Sequence, residues 1–260
     1  MNKQEQLKYI EDNCPATTHH QSNRRIRHEF FKYIDTEVQA YLLGFYTADG
    51  SIDEKRKTFR VELAIKDKDQ VYMIKDIISP DARLYQNKAR DFMGSKGKLI
   101  HTEGSIGVDI TSADLCRDLV DWGIGYGKTY KEIHIPTIEP ELIRHFIRGF
   151  FDGDGTISGS VAREKGKKDR FRYYISMVSK KSSLLLDIQK FFAEHNIKIN
   201  LNYLNRDDMY RLMTYSKKEI EKIYHLLYDD SYFYLQRKYE KINHYVNTED
   251  LQLIAEACNA

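Results

Sequence analysis

The stretches AYLLGFYTADGSI (residues 40–52) and HFIRGFFDGDGTI (residues 145–157) decide how this chain is read. Each is an apolar, glycine-containing run at helical spacing that stops on an acid and a glycine. Thr36 and Gln39 fit a capping box and Gly50 fits a C′ stop, which predicts a helix ending at Asp49. In the second stretch Pro140 suits the first turn and Gly155 the stop, with Asp154 in the place of Asp49. A carboxylate in a last helical turn faces the negative end of the helix dipole, unfavourable by about 0.3–1 kcal/mol unless a cation is near. Its occurrence twice points to a bound cation. Gly44 and Ala48 share one helix face, as do Gly149 and Gly153. Small residues at this spacing let two helices meet backbone to backbone, which would bring both carboxylates together near a pseudo-two-fold axis. Such a pair suits Mg2+, which takes few carboxylates and completes its shell with water and phosphate oxygens.

The sequence around the two stretches also repeats. Phe59, Val61, Leu63 and Ile65 alternate with Arg60, Glu62, Ala64 and Lys66; Phe171, Tyr173, Ile175 and Met177 alternate with Arg172, Tyr174, Ser176 and Val178. Period two predicts strands with one buried face. Further helices are expected at about 68–78 and 181–195, strand pairs around ARLYQNKA with SIGVDITS and KINLNYLN with MYRLMTYS, and third helices over 113–122 and 217–227. The second half carries the longer basic loop VAREKGK. The order helix, two strands, helix, two strands, helix is performed twice, which argues for an α+β class with antiparallel sheets covered by helices on one side. Residues 1–34 are read as a polar, basic N-terminal extension broken at Pro15, residues 35–135 and 136–245 as the two halves, and residues 246–260 as a helical tail. With no low-complexity linker between them, the halves are expected to pack together.

Across 260 residues the net charge is only +2, from 41 Lys and Arg against 39 Asp and Glu, so its distribution says more than its total. Basic residues gather at Arg24, Arg25 and Arg27, at Lys55 to Lys57 with Arg60, at Lys88 and Arg90, and in REKGKKDRFR (residues 163–172). Cys14, Cys116 and Cys258 are odd in number, far apart and in no CxxC pair, so neither a disulfide framework nor a structural zinc site is indicated and a reducing setting is expected. No N-terminal apolar segment is present, and no run approaches the roughly 18 apolar residues of a membrane span. The expectation is a soluble, unexported protein of a bacterial or phage-infected cell, or of an organelle matrix. No HNH or HExxH pattern is present, so the histidines read as surface or core residues, and Trp122 reads as core.

LLGFYTADG (residues 42–50) and IRGFFDGDG (residues 147–155) resemble the paired signature of the LAGLIDADG homing endonucleases in their double-motif, single-chain form, and the similarity covers about residues 36–245. The resemblance implies an αββαββα fold per half, motif helices at the interface, and two sheets forming a saddle over DNA. It implies cleavage of both strands across the minor groove at a long asymmetric site, leaving 3′ overhangs. Asp49 and Asp154 would hold the metal, with the carbonyls of Ala48 and Gly153 as further ligands. Mg2+ is the expected cofactor, with Mn2+ able to substitute and Ca2+ binding without supporting cleavage. Thr47 departs from the aspartate usual at the motif's sixth position, where Asp152 is retained. Family members often place a lysine late in each half, which implies Lys128 and Lys238, and a polar residue ordering water at the end of the first long strand, which implies Asp67 and Ser179.

Strands laid in the major groove would aim every second side chain at base edges. The candidates are Arg60, Glu62, Lys66, Arg83, Tyr85 and Asn87 in one half, and Arg172, Tyr174, Ser176, Asn200, Asn202 and Arg211 in the other. Arginine suits guanine, asparagine suits adenine, and Glu62 could accept from cytosine. Loop lysines Lys96, Lys98, Lys167 and Lys168 would meet phosphates, which position a protein without reading sequence. The N-terminal 34 residues are either a DNA-binding arm or a solvated extension. Double-stranded DNA is the expected partner of a monomer with no membrane contact; the alternative is a non-cleaving intron RNA maturase or a DNA-binding regulator of the same fold.

Overall fold

The computed structural model describes residues 1–19, 23–93, 99–127, 131–162 and 170–247. The chain opens with α1 (Lys3–Asn13) and a hairpin of β1 (Thr17–His19) and β2 (Arg24–Ile26). A capping box starts α1: Asn2 Oδ1 accepts from Glu5 N at 3.0 Å and Glu5 Oε2 accepts from Asn2 N at 2.7 Å. Its described residues pack on the body of the protein rather than standing free as a solvated extension. Gln6 and Ile10, one turn apart, are buried, and Phe30 and Phe31 lie in the core. Gln6 donates to Glu37 Oε2 and accepts from Val38 N, while Arg25 is held by Asp81 at 2.8 and 2.9 Å.

The first half runs α2 (Glu37–Asp49), β3 (Gly50–Asp53), β4 (Thr58–Ala64), a 3-10 turn (Ile65–Asp67), α3 (Lys68–Ile78), β5 (Leu84–Asn87), β6 (Arg90–Met93), β7 (Leu99–Thr102), β8 (Ser105–Thr111) and α4 (Ala113–Asp121). The second runs α5 (Pro140–Asp154), β9 (Thr156–Ala162), β10 (Arg170–Ser179), α6 (Ser183–Glu194), β11 (Asn200–Leu204), β12 (Met209–Thr214) and α7 (Lys217–Tyr228), and α8 (Gln236–Asn247) follows. The sheets are antiparallel and share one order, β3-β4-β8-β5 and β9-β10-β12-β11. The fold is therefore α+β, two αββαββα halves with sheets of matching topology. Alternation puts Phe59, Val61, Ile106, Val108 and Ile110 on the helix-covered face of one sheet, and Tyr173, Ile175, Met177 and Leu212 on that of the other. The first half also carries the β6–β7 hairpin, Phe92 opposite Ile100, where the sequence reading placed one connection. Of the helical tail expected over residues 246–260, Val246 and Asn247 end α8 and the rest lies outside the described residues.

Among the described residues, α2 and α5 make the most extensive contact between two elements. A Cβ on Gly44 would collide with the Phe146 carbonyl and reach Phe150 N at 3.0 Å; a Cβ on Gly149 would collide with the Tyr41 carbonyl and reach Phe45 N at 2.7 Å. The two contacts are pseudo-symmetric images of each other, and no side chain larger than hydrogen fits either. Gly50 and Gly155 have another reason to be glycine. Their φ values of −79° and −74° are ordinary extended backbone, so neither is the left-handed stop that was expected. A Cβ there would instead enter the ring of Tyr46 or Phe151. Only half of the expected capping box forms, since Thr36 Oγ1 accepts from Gln39 N but Gln39 Oε1 accepts from Asp35 N and Thr36 Oγ1; Gln39 Nε2 donates to the Phe30 and Tyr33 carbonyls and ties α2 to the N-terminal segment. Gly44→Ala and Gly149→Ala are each expected to lower stability by about 1–3 kcal/mol by overpacking. Urea denaturation should show this against Gly125→Ala, whose Cβ would make only an ordinary 3.7 Å contact.

Candidate active site and nucleic-acid interface

Asp49 and Asp154 are the final residues of α2 and α5. A Cβ on Gly153 would lie against Ala48 Cβ and 3.2 Å from Asp49 Oδ2, so the first carboxylate reaches across the interface over the second motif. Lys238, in the first turn of α8, is 6 % exposed and donates from Nζ to the Phe151 and Gly153 carbonyls, both at 2.9 Å. Burial pushes its pKa down to about 8, with Arg237 acting in the same sense and Asp152, Asp49 and Asp154 opposing. The structure thus brings Asp49, Asp154, Ala48, Gly153 and Lys238 together. Gly153 O already accepts from Lys238, which leaves it one lone pair for any other partner. Lys128 lies outside the described residues.

The donor set fits a hard divalent cation. It consists of two carboxylates and backbone carbonyls at the negative ends of two helix dipoles. Among the described residues no cluster of three His, Cys, Asp or Glu side chains gathers to complete a shell. Water and substrate oxygens would have to supply the rest, as Mg2+ favours.

Two charged residues of α5, Arg148 and Asp152, hold the loop that leads to Lys238. Arg148, fully buried on α5, donates to the carbonyls of Phe233 (2.8 Å) and Leu227 (2.7 Å) and to Glu37 Oε1 (2.6 Å). His145, kept neutral because burial and then Arg148 push its pKa down to about 2, accepts from Arg148 Nη1 at 2.7 Å. Asp152 accepts from Tyr41 OH (3.0 Å), Tyr228 OH (2.7 Å) and Leu235 N (2.7 Å). Arg148 and Asp152 are one turn apart, so one face of α5 grips both ends of the loop between α7 and α8. A charge recurring at i and i+4 inside an apolar motif helix was the available signal.

Asp67 and Ser179 are not equivalent. Ser179 is the last rung of β10, opposite Tyr210, and lines the cavity beside Asp154. The last rung of β4 is Ala64, so Asp67 stands three residues beyond the strand, at the end of the 3-10 turn. There both its oxygens accept from Arg237 at 2.9 Å, a correction to its reading as a strand-end residue ordering water.

Arg60, Glu62, Tyr85 and Asn87 do share the open face of the first sheet, but their polar groups are committed to one another. Asp109 of β8 takes both Nε and Nη2 of Arg60 at 2.8 and 2.6 Å. Glu62 accepts from Ser105 (2.5 Å), Asn87 (2.9 Å) and Tyr85 (3.1 Å), which lowers its pKa. Arg83 is exposed just before β5, whereas Lys66 belongs to the 3-10 turn and pairs with Glu103 at 3.3 Å rather than lying on a strand. On the second sheet Arg172, Asn200 and Asn202 are exposed, and Tyr174 tilts against Tyr215 with ring centroids 5.6 Å apart. Arg211 is half-buried, in register with Asn202 and Val178. Ser176 corrects the reading: it lies on the open face but is only 5 % exposed, because its small side chain sits in register between Thr156 and the buried Met213. Lys96, Lys98, Lys167 and Lys168 lie outside the described residues.

A family model described as LAGLIDADG-like domain matches residues 36–92 and 141–227, more than half of the chain. No curated protein matches the sequence significantly. Among solved structures, a lysine-to-alanine variant of I-SmaMI is similar at 12 % identity with a TM-score of 0.58, covering 85 % of this chain and 97 % of its own. The LAGLIDADG meganuclease I-CpaMI, bound to uncleaved DNA, is similar at 12 % identity with a TM-score of 0.57, covering 87 % and 99 %. I-SmaMI bound to an uncleaved DNA target in the presence of calcium gives 13 % identity and a TM-score of 0.54, covering 87 % and 98 %.

In metal-free protein Lys238 should titrate near pH 8, so that 13Cε NMR of lysine-labelled protein shows one midpoint well below the rest, absent in Lys238→Arg. Because the folded state releases this proton before the unfolded chain does, the site's contribution to stability rises from about pH 8 toward the usual lysine range.

Proposed function

The chain belongs to the LAGLIDADG family, and from that premise we propose that it is a site-specific DNA endonuclease that hydrolyses both strands of a long asymmetric site and leaves 3′ overhangs. One observation carries the reading. Two helices in backbone contact end on Asp49 and Asp154, and the chain buries the Lys238 cation between those acids and the α5 carbonyls. DNA bound to I-CpaMI and I-SmaMI, proteins of this fold, supports double-stranded DNA as the partner.

In this proposal Asp49, Asp154 and the Ala48 carbonyl hold Mg2+, with Mn2+ an effective substitute. The ion, when bound, supplies Lewis-acid activation of water and stabilisation of the leaving oxygen. Lys238, cationic below about pH 8, polarises the attacked phosphate while its two carbonyl contacts keep the amine pointed at the helix ends. Lys128 takes the corresponding role late in the first half. Ser179, beside Asp154, orients water. The exposed Arg172, Asn200 and Asn202, with Tyr174 and Arg211, read base edges from the second sheet. Arg60, Glu62, Tyr85, Asn87 and Arg83 do so from the first. The protein acts as a monomer, since one chain supplies both halves, within the cell.

The test is incubation with Mg2+ and a duplex library carrying randomised sites. Cleavage at one long sequence is expected, as is loss of at least about 100-fold in rate in Asp49→Asn with Asp154→Asn. Binding in Ca2+ should persist in that variant and weaken steeply with salt. Tight binding of DNA or intron RNA with no cleavage of any site would overturn the endonuclease in favour of a non-cleaving binder. Cleavage surviving the double substitution would overturn the assigned acids.

A further inference from the structure

The interface helices end on Asp49 and Asp154 and open, at their other ends, on a cavity of about 630 Å³. It lies where the N-termini of α2 and α5 meet α1 and the loop between α7 and α8. From Glu37 to Asp49 the helix α2 rises about 18 Å, so this cavity is remote from the paired acids. Its rim is acidic. Glu139, Glu141 and Asp230 are exposed and, among the described residues, neither hydrogen-bonded nor ion-paired; the Asp35 carboxylate takes only the Tyr9 hydroxyl, at 3.2 Å. Arg144 brings a cation to the wall, but its Nη1 is turned to the carbonyls of Leu226 and Asp229 at 3.4 and 3.1 Å. Glu37 is already filled: Oε1 accepts from Arg148, Tyr232 N and Phe233 N, and Oε2 from Gln6.

An acidic rim alone would be a solvated surface; the floor makes it a site. His145 lines the cavity at 6 % exposure. A guanidinium has no acceptor, so the bond from Arg148 Nη1 obliges His145 Nδ1 to accept, and the neutral ring carries its proton on Nε2. That N–H has no partner among the described residues, and its nitrogen is not sealed off from the cavity. A donor in so buried a ring calls for an acceptor such as a carbonyl oxygen. Tyr232, 43 % exposed, adds at the rim an aromatic ring of the kind on which an ammonium or guanidinium rests.

We propose that this cavity docks a basic peptide segment of a partner protein, whose lysine or arginine side chains meet Glu139, Glu141 and Asp230 while one backbone carbonyl accepts from His145 Nε2. A polyamine would satisfy the acids but offers His145 no acceptor. A metal ion fits less well, since among the described residues no three His, Cys, Asp or Glu side chains gather around a point and a protonated Nε2 is not a ligand. The site stands at the far end of the helices from Asp49 and Asp154, so a peptide and DNA can be held at once, and it does not depend on the endonuclease reading.

The probe is the blocked tetrapeptide acetyl-Lys-Arg-Lys-Arg-amide, set against spermine, which carries nearly the same positive charge and no carbonyl. Calorimetric titration of the full chain in metal-free buffer is expected to show one site that takes the peptide at least about 10-fold more tightly than spermine, as one hydrogen bond closed on a buried donor would give. In protein labelled with 15N-histidine, the His145 Nε2 signal, assigned by its loss in His145→Gln, should shift with the peptide and stay in place with spermine. Glu139→Gln, Glu141→Gln and Asp230→Asn together should weaken the peptide about 10-fold or more. Asp49→Asn with Asp154→Asn, at the other end of the helices, should leave its affinity within about 2-fold. Circular dichroism confirms that each variant is folded. No saturable binding of the peptide, equal affinity for peptide and spermine, a His145 signal indifferent to the peptide, or affinity lost with Asp49 and Asp154 rather than with the rim acids would each overturn the inference and leave the endonuclease reading standing.

Discussion

The contact between the backbones of α2 and α5 constrains everything else in this molecule. Gly44 and Gly149 admit the carbonyls of Phe146 and Tyr41, and Gly153 admits Ala48. Helices that close place their C-terminal ends side by side, with two negative dipole ends and two carboxylates together. That arrangement repels itself until a cation compensates. The chain supplies one from within: Lys238 is buried despite the cost of desolvating an ammonium, and its lowered pKa records that cost. The acids reach the helix ends by close packing, and Lys238 brings a positive charge to the place where they meet.

The two motifs divide the labour unequally. Thr47 and Asp152 occupy the same motif position, yet Thr47 Oγ1 returns a hydrogen bond to Leu43 O of its own helix, whereas Asp152 gathers Tyr41, Tyr228 and Leu235 N from three other places. Burial raises the Asp152 pKa, and the Tyr228 and Leu235 donors with the Lys238 and Arg148 charges oppose that rise. With Arg148 it makes α5 the element on which the loop leading to α8 is hung. Breaking such a buried charge network typically costs about 3–5 kcal/mol, because the remaining partner is left uncompensated. The geometry of Lys238 is therefore set by the interface helix, not by the surface helix that carries it.

Much of this was legible in the sequence because it depends on local spacing. Small residues four apart marked the interface faces, acids in matching places marked the helix ends, and the apolar periods over 68–78 and 217–227 match α3 and α7 (Lys217–Tyr228) closely. What escaped depends on partners distant in sequence. Arg60 reads as a free strand cation until Asp109 is seen beside it, and Asp67 reads as a strand-end acid until Arg237 takes it. Alternation names the face of Ser176 but not how far its neighbours overtop it. Gly50 and Gly155 read as turn glycines, whereas an aromatic ring one turn earlier is what excludes a Cβ.

The same long-range pairing changes what the first sheet can recognise. Glu62 already accepts three hydrogen bonds and Arg60 already spends its fork on Asp109, so a base edge laid on that face must replace bonds that exist rather than satisfy empty ones. Hydrogen-bond exchange of this kind contributes little net affinity, but a wrong base that breaks the network without replacing it leaves polar groups unsatisfied, at about 1–3 kcal/mol each. On the second sheet Arg172, Asn200 and Asn202 are exposed to solvent and can turn toward whatever is presented. Under the proposed function, the first sheet would discriminate by rejection and the second by adaptable contact.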